Sequence, residues 1–147
     1  MPKFISHSEK ETIDFAGQFA QGLRGGEVLL LLGDLGSGKT TFVKGLAQGF
    51  GIKEKITSPT FVLMRHYKIR NFIISQICNF IHLDAYRLKT GQDLLAIGLG
   101  DWLGRQDTVV AVEWGEELKK ILRKKKTVKI SFLHGRKNDT RTIKLFR

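Results

Sequence analysis

The chain has 147 residues, close to the size of one domain and long enough to bury a core, so a single domain over residues 1–147 is expected. Its 41% apolar and 27% charged residues exclude a disordered, fibrous or membrane chain, and one cysteine, Cys78, excludes an internal disulfide and a cysteine zinc cluster. The formal charge of +11 is uneven: 12 of the 25 Lys/Arg residues fall in 119–147 against one acid, Asp139, while residues 1–118 hold 13 of each sign.

Ser8 followed by Glu11 has capping-box spacing, and Ile13, Ala16, Ala20 and Leu23 recur near helical period, which predicts a helix over 9–24. The continuous apolar run Val28–Leu32 reads as a strand buried on both faces. It is the longest such run, too short to span a bilayer, and Met1-Pro2-Lys3-Phe4 lacks the apolar stretch of a signal peptide, so the protein is expected in the cytoplasm. After a glycine-rich turn from Gly33, apolar residues Phe42, Val43, Leu46, Ala47 and Phe50 predict a helix over 39–50. Strands are expected at 61–67 and 72–83, joined by a hairpin connection at Lys68–Asn71, although Ile73–Ile81 also fits a helix; either way Cys78 is expected in the core. Short helices near 91–97 and 101–105, a buried strand Val109–Val112, a helix from Glu116 to about Lys124, and strands at 127–133 and 141–146 complete the order. The basic end reads either as a surface for an anionic partner, tRNA or an acidic protein face, or as a lysine-rich solvated surface.

Gly33-Asp34-Leu35-Gly36-Ser37-Gly38-Lys39-Thr40 matches the phosphate-loop pattern G-x-x-x-x-G-K-[ST] at every fixed position, between an expected strand and an expected helix. Its glycines let consecutive N–H groups curl toward phosphate oxygens, and the helix dipole aims its positive end at the same place. Lys39 then supplies a mobile cation for the β- and γ-phosphates, and the Thr40 hydroxyl is a magnesium ligand. The expected fold is therefore α/β: a P-loop NTPase-like three-layer domain with a central mixed, mainly parallel sheet and a basic C-terminal hairpin. A phosphate loop needs an acid at the end of a neighbouring apolar strand, and Glu113, after Val109–Val112, stands in that place, although Asp is the usual residue there. His82-Leu83-Asp84-Ala85-Tyr86-Arg87 ends another apolar run; Asp84 can orient water or a metal-bound water, and a surface turn with a salt bridge fits the same pattern. Ser58-Pro59-Thr60 fits a segment that senses the γ-phosphate and equally an ordinary turn.

Together, the loop through Thr41, Ser-Pro-Thr-Phe at 58–61, His-Leu-Asp-Ala-Tyr-Arg-Leu at 82–88 and Val-Glu-Trp-Gly-Glu at 112–116 resemble the bacterial TsaE (YjeE) family over residues 8–117. That family is the small ATPase of threonylcarbamoyladenosine synthesis on tRNA, acting with TsaB and TsaD to modify the adenosine next to the anticodon in tRNAs that read ANN codons. The resemblance implies that Gly33, Leu35 and Gly36 to Thr41 (Ser37, Gly38, Lys39 and Thr40 between them) wrap the nucleotide phosphates. It implies that Thr40 and Glu113 bind Mg2+ and that Lys39, Asp84 and Glu113 carry catalysis. It also places Glu9 and Thr12 near the nucleotide and makes Trp114 a link to a partner, while the departing tail leaves base contacts from that region unassigned, with Arg136 or Arg141 able to serve. Two departures are a longer segment at 68–80 and a shorter, far more basic tail after Lys119.

The expectation is a cytoplasmic Mg-dependent ATPase, weak in isolation, working with TsaB and TsaD on tRNA and transferring no acyl group itself. A small-molecule kinase shares the loop but needs an acceptor pocket and a lid. A stand-alone RNA-binding ATPase would bind RNA tightly and salt-sensitively without protein partners.

Overall fold

In the computed structural model, which describes residues 2–57, 64–70, 76–85, 90–114, 126–137 and 139–147, the apolar run after Gly26 becomes an inner strand of a seven-stranded sheet. The elements in chain order are β1 (Lys3–Ser6), α1 (Glu9–Gln21), β2 (Glu27–Leu32), α2 (Lys39–Gly49), β3 (Met64–Lys68), β4 (Asn79–Asp84), α3 (Gly91–Ala96), a 3₁₀ turn at Leu99–Asp101, β5 (Thr108–Glu113), β6 (Lys126–His134) and β7 (Arg141–Phe146). Across the sheet the order is β1-β7-β6-β2-β5-β4-β3. β6, β2, β5 and β4 are mutually parallel. Antiparallel β3 closes one edge, while β7 runs antiparallel to both β6 and β1 at the other. Only β3 and β7 are thus reversed, the mixed, mainly parallel sheet that the sequence predicts.

The pleat divides the core. Leu29, Leu31, Phe80, Val109 and Ala111 face α1 and α2. Their alternate neighbours Val28, Leu30, Ile81, Leu83, Val110 and Val112 face the other way, against Leu99, Ile97, Trp102 and Leu103. The two long helices lie close because α2 has no side chain at Gly45 and Gly49. A Cβ on Gly45 would stand 2.5 Å from Ala16 Cβ, and one on Gly49 would stand 2.5 Å from Gly17 O. Phe42, fully buried below α1, meets the rings of Phe15, Phe19 and Phe132 at 6.3, 5.9 and 5.4 Å. Ser8 caps α1 as its spacing predicts: Ser8 Oγ accepts from Glu11 N at 3.1 Å, and the Glu11 carboxylate accepts from His7 N at 2.7 Å.

The structure corrects several expectations. β1 was not foreseen, because four residues carry little periodicity and its partner β7 lies at the far end of the chain. α1 stops at Gln21, with Gly22 as C-cap. β4 begins at Asn79 and Lys68 pairs with Asn79, so the expected hairpin connection at Lys68–Asn71 does not form; residues 71–75 of the expected strand lie outside the described residues. Just before β4, Ile77 is buried while Cys78 is exposed, so Cys78 is not core. The helix expected near 101–105 is the 3₁₀ turn at 99–101, bracketed by Gly98 and Gly104 at φ 94° and 81°. The basic hairpin β6–β7 exists but is built into the main sheet through β2. Ser58-Pro59-Thr60, Tyr86-Arg87 and the helix expected over 116–124 lie outside the described residues.

Candidate active site

Register brings the candidate residues together. Leu31 pairs with Glu113, and Glu113 with Asp84, so the end of β2, Glu113 and Asp84 form a row at the C-terminal edge of three parallel strands. That edge is where open α/β sheets bind ligands. Side chains alternate along each strand, so His82, Asp84 and Glu113 share the face of Leu31 and Ala111, the face covered by α2.

The loop leaves β2 at Gly33 and enters α2 at Lys39. Gly36 and Gly38 sit at φ 75° and 104°, backbone that only glycine adopts without strain. Gly38 is the N-cap of α2 and brings no side-chain cap, so the first-turn N–H groups and the positive end of the helix dipole face whatever acceptor the loop encloses. Lys39 is buried, and its ammonium donates to Gly33 O and, at 3.0 Å, to Asp34 O. The same nitrogen stands 3.8 Å from the centre of the Trp114 ring. Trp114 sits at φ 60°, uncommon for a bulky residue, and this turn at the end of β5 presents the indole to Lys39. A phosphate oxygen is a stronger acceptor for the ammonium than these carbonyls, so the lysine is held at the loop in a form that an anion can redirect.

Thr40 Oγ1 donates to Glu113 Oε1 at 3.0 Å, and the other oxygen, Oε2, lies 2.6 Å from His82 Nε2. Both Glu113 and His82 are buried. With Nε2–H donating, the imidazole fixes the carboxylate plane, leaving His82 Nδ1 a buried nitrogen without a partner among the described residues. Thr40 and Glu113 would fit magnesium: a hydroxyl and a carboxylate oxygen 3.0 Å apart match adjacent ligands about 2.1 Å from an octahedral ion.

The remaining expected residues are placed as follows. Asp84 is half-buried at the end of β4. Ser37 is buried, and its Oγ has no hydrogen-bond partner among the described residues. Leu35 is 86% exposed on the outer lip of the loop, and Thr41 is half-buried in the first turn of α2. Glu9 is exposed in the first turn of α1. Thr12 is fully buried, with its hydroxyl 2.7 Å from Ser6 Oγ and 3.3 Å from Ser8 O, so that hydroxyl holds the start of the helix. Arg136 is exposed in the β6–β7 turn, whereas Arg141 packs on the loop: a Cβ on Gly38 would collide with its guanidinium. Sequence groups His82 with Asp84 as neighbours, but its hold on Glu113 depends on the β4–β5 register. The meeting of Arg141 with Gly38, about a hundred residues apart, has no local signal.

The family model described as threonylcarbamoyl adenosine biosynthesis protein TsaE matches residues 6–143. A tRNA threonylcarbamoyladenosine biosynthesis protein TsaE from Rickettsia typhi is 39% identical over 117 residues, 79% of this chain and 76% of that protein. The protein of the same name from Borreliella burgdorferi is 35% identical over 125 residues, 85% of this chain and 86% of its own. The crystal structure of Bacillus subtilus YdiB shares the fold with a TM-score of 0.74 at 28% identity, covering 97% of this chain and 82% of that one.

Proposed function

Because the chain belongs to the TsaE family of threonylcarbamoyl adenosine biosynthesis proteins, we propose that it is a magnesium-dependent ATPase that works with TsaB- and TsaD-type proteins in modifying tRNA. The observation that carries the ATPase reading is the contact of Thr40 with Glu113 beside a phosphate loop whose lysine is buried and poised. Loop amides and the start of α2 receive the phosphates, and Lys39 exchanges its carbonyl partners for phosphate oxygens. Thr40 and Glu113 would hold magnesium, with His82 keeping the carboxylate aimed. Magnesium there would supply charge neutralisation on the phosphates. Asp84, one strand away from Glu113, orients the attacking water.

ATP is the proposed nucleotide because the chain lacks the Asn/Thr-Lys-x-Asp pattern of guanine readers. Hydrolysis is slow in the isolated protein, since a site at the rim of so small a domain is open to water and lacks groups that a partner supplies. The deciding experiment is a pull-down with TsaB and TsaD, with and without ATP, alongside ATP and GTP turnover of the purified chain. Nucleotide-dependent association is expected. Fast turnover unaffected by TsaB and TsaD, with no association, overturns the reading in favour of a kinase or a stand-alone ATPase.

A further inference from the structure

The C-terminal hairpin reaches the phosphate loop at one point. Arg141 is the first residue of β7, paired with His134 of β6 on one side and Ser6 of β1 on the other. Its side chain leaves this wing and lies across the N-cap of α2. A Cβ placed on Gly38 would stand 3.0 Å from Arg141 Cδ and 3.2 Å from Cζ, so the guanidinium rests directly on the loop backbone. There it is poorly served. Arg141 Nε is buried and has no acceptor among the described residues, and no carboxylate among them forms an ion pair with Arg141. Burying a guanidinium N–H without an acceptor is costly, and a chain keeps one where an acceptor arrives from outside. The neighbours sharpen the chemistry. Ser37 Oγ, in the same loop, is a second buried polar atom with no partner among the described residues. The first-turn amides of α2 begin at Gly38, directly under this guanidinium.

We infer that Arg141 is a phosphate-binding residue of the nucleotide site, supplied by the C-terminal hairpin to the α- and β-phosphates. This rests on the ATPase reading above. The assignment to those phosphates follows from position: the loop backbone cradles the α- and β-phosphates, whereas Lys39 extends to the β- and γ-phosphates, and Arg141 lies on the backbone at Gly38. A guanidinium there offers a planar fork of donors suited to phosphate oxygens. Because both nucleotide states keep these phosphates, Arg141 stabilises ATP and ADP alike and contributes nothing specific to bond cleavage. It also gives the basic end of the chain a role in ligand binding that is independent of its charge density.

The test measures nucleotide affinity rather than turnover. Arg141→Met retains the bulk of the stem against Gly38 and removes the donors; Arg141→Lys retains the charge and removes the fork. ATP and ADP dissociation constants are measured for wild type and both variants by calorimetry, together with the melting temperature with and without nucleotide. Arg141→Met should weaken both nucleotides by the same factor, about 10- to 100-fold, the loss expected for a charge-assisted hydrogen bond. Arg141→Lys should recover part of it. The apo melting temperature should stay at or above the wild-type value, because a buried donor without a partner is removed, while the rise on adding ADP shrinks. Unchanged affinity in Arg141→Met, or a loss confined to ATP, overturns the inference while leaving the ATPase reading intact. A wild-type protein that binds neither ATP nor ADP overturns both. A fall in apo melting temperature with unchanged nucleotide affinity makes Arg141 a packing residue of the hairpin and overturns the inference alone.

Discussion

The loop edge of the central strands and the β1–β7–β6 wing share one sheet but follow different periodicities. β2 and β5 are apolar throughout their interiors, and β4 apart from the buried His82, because both faces are covered; Glu113 and Asp84 stand at the strand ends beside the loop. The wing alternates. Phe4, Ile143 and Phe132 align across it on the covered face, while Lys3, Lys144 and Ser131 form one row of the outer face and Ile5, Thr142 and Leu133 the next. Ile5 and Leu133 are 46% and 47% exposed there. The contrast separates two ways of handling anions. At the edge, Lys39, Thr40, Glu113 and His82 each hold a specific partner at hydrogen-bond distance, so single substitutions there are costly. On the wing's outer face the lysines have no such fixed geometry and, under the proposed function, would act only through a summed field, so each is replaceable. Arg141 is where the wing touches the edge.

Substitutions ordered by expected effect test this division. Lys39→Ala removes the cation that meets the phosphates and should lower ATP turnover by at least about 10²–10³-fold while weakening nucleotide binding; wild-type turnover in that variant ends the ATPase reading. Glu113→Gln should lose magnesium-dependent turnover by about 10²-fold yet keep measurable nucleotide affinity, because loop amides and Lys39 still hold the phosphates. A magnesium titration superimposable on the wild-type curve would make Glu113 structural. His82→Leu should act one step further out. It takes a partner from a buried carboxylate, raising the magnesium requirement about 10- to 100-fold and costing about 1–3 kcal/mol in urea unfolding. An unchanged magnesium requirement with lowered stability would restrict His82 to packing.

The smallest effect belongs to the wing. Replacing Lys3, Lys129 and Lys144 together by Gln should leave ATP turnover of the isolated chain near the wild-type value. If this face meets tRNA in the assembled complex, the dependence of log affinity on log salt should flatten by up to about 0.7 to 0.9 per lost phosphate contact. An unchanged slope assigns those lysines to solvation, and loss of TsaB or TsaD binding instead assigns them to a protein face.

How much was readable in advance follows the same line. The phosphate loop, β2, α2 and the acid after the β5 run are local patterns: a glycine-lysine spacing, a continuous apolar run, a helical repeat. Local sterics and burial dictate such elements within a dozen residues, so the sequence alone determined them, and the placing of Lys39, Thr40 and Glu113 as candidates with them. Register and docking are different. That Asp84 stands beside Glu113, that His82 grips the same carboxylate, that β1 exists as an edge strand, and that Arg141 lies on Gly38 all depend on pairing between segments far apart in the chain. The apolar run before Asn79 shows the limit from the other side, since Ile77 is buried by packing from a loop while Cys78 beside it faces solvent. Apolar residues report that burial occurs; only the tertiary arrangement decides which backbone performs it, because the partner that completes each contact is absent from the local sequence.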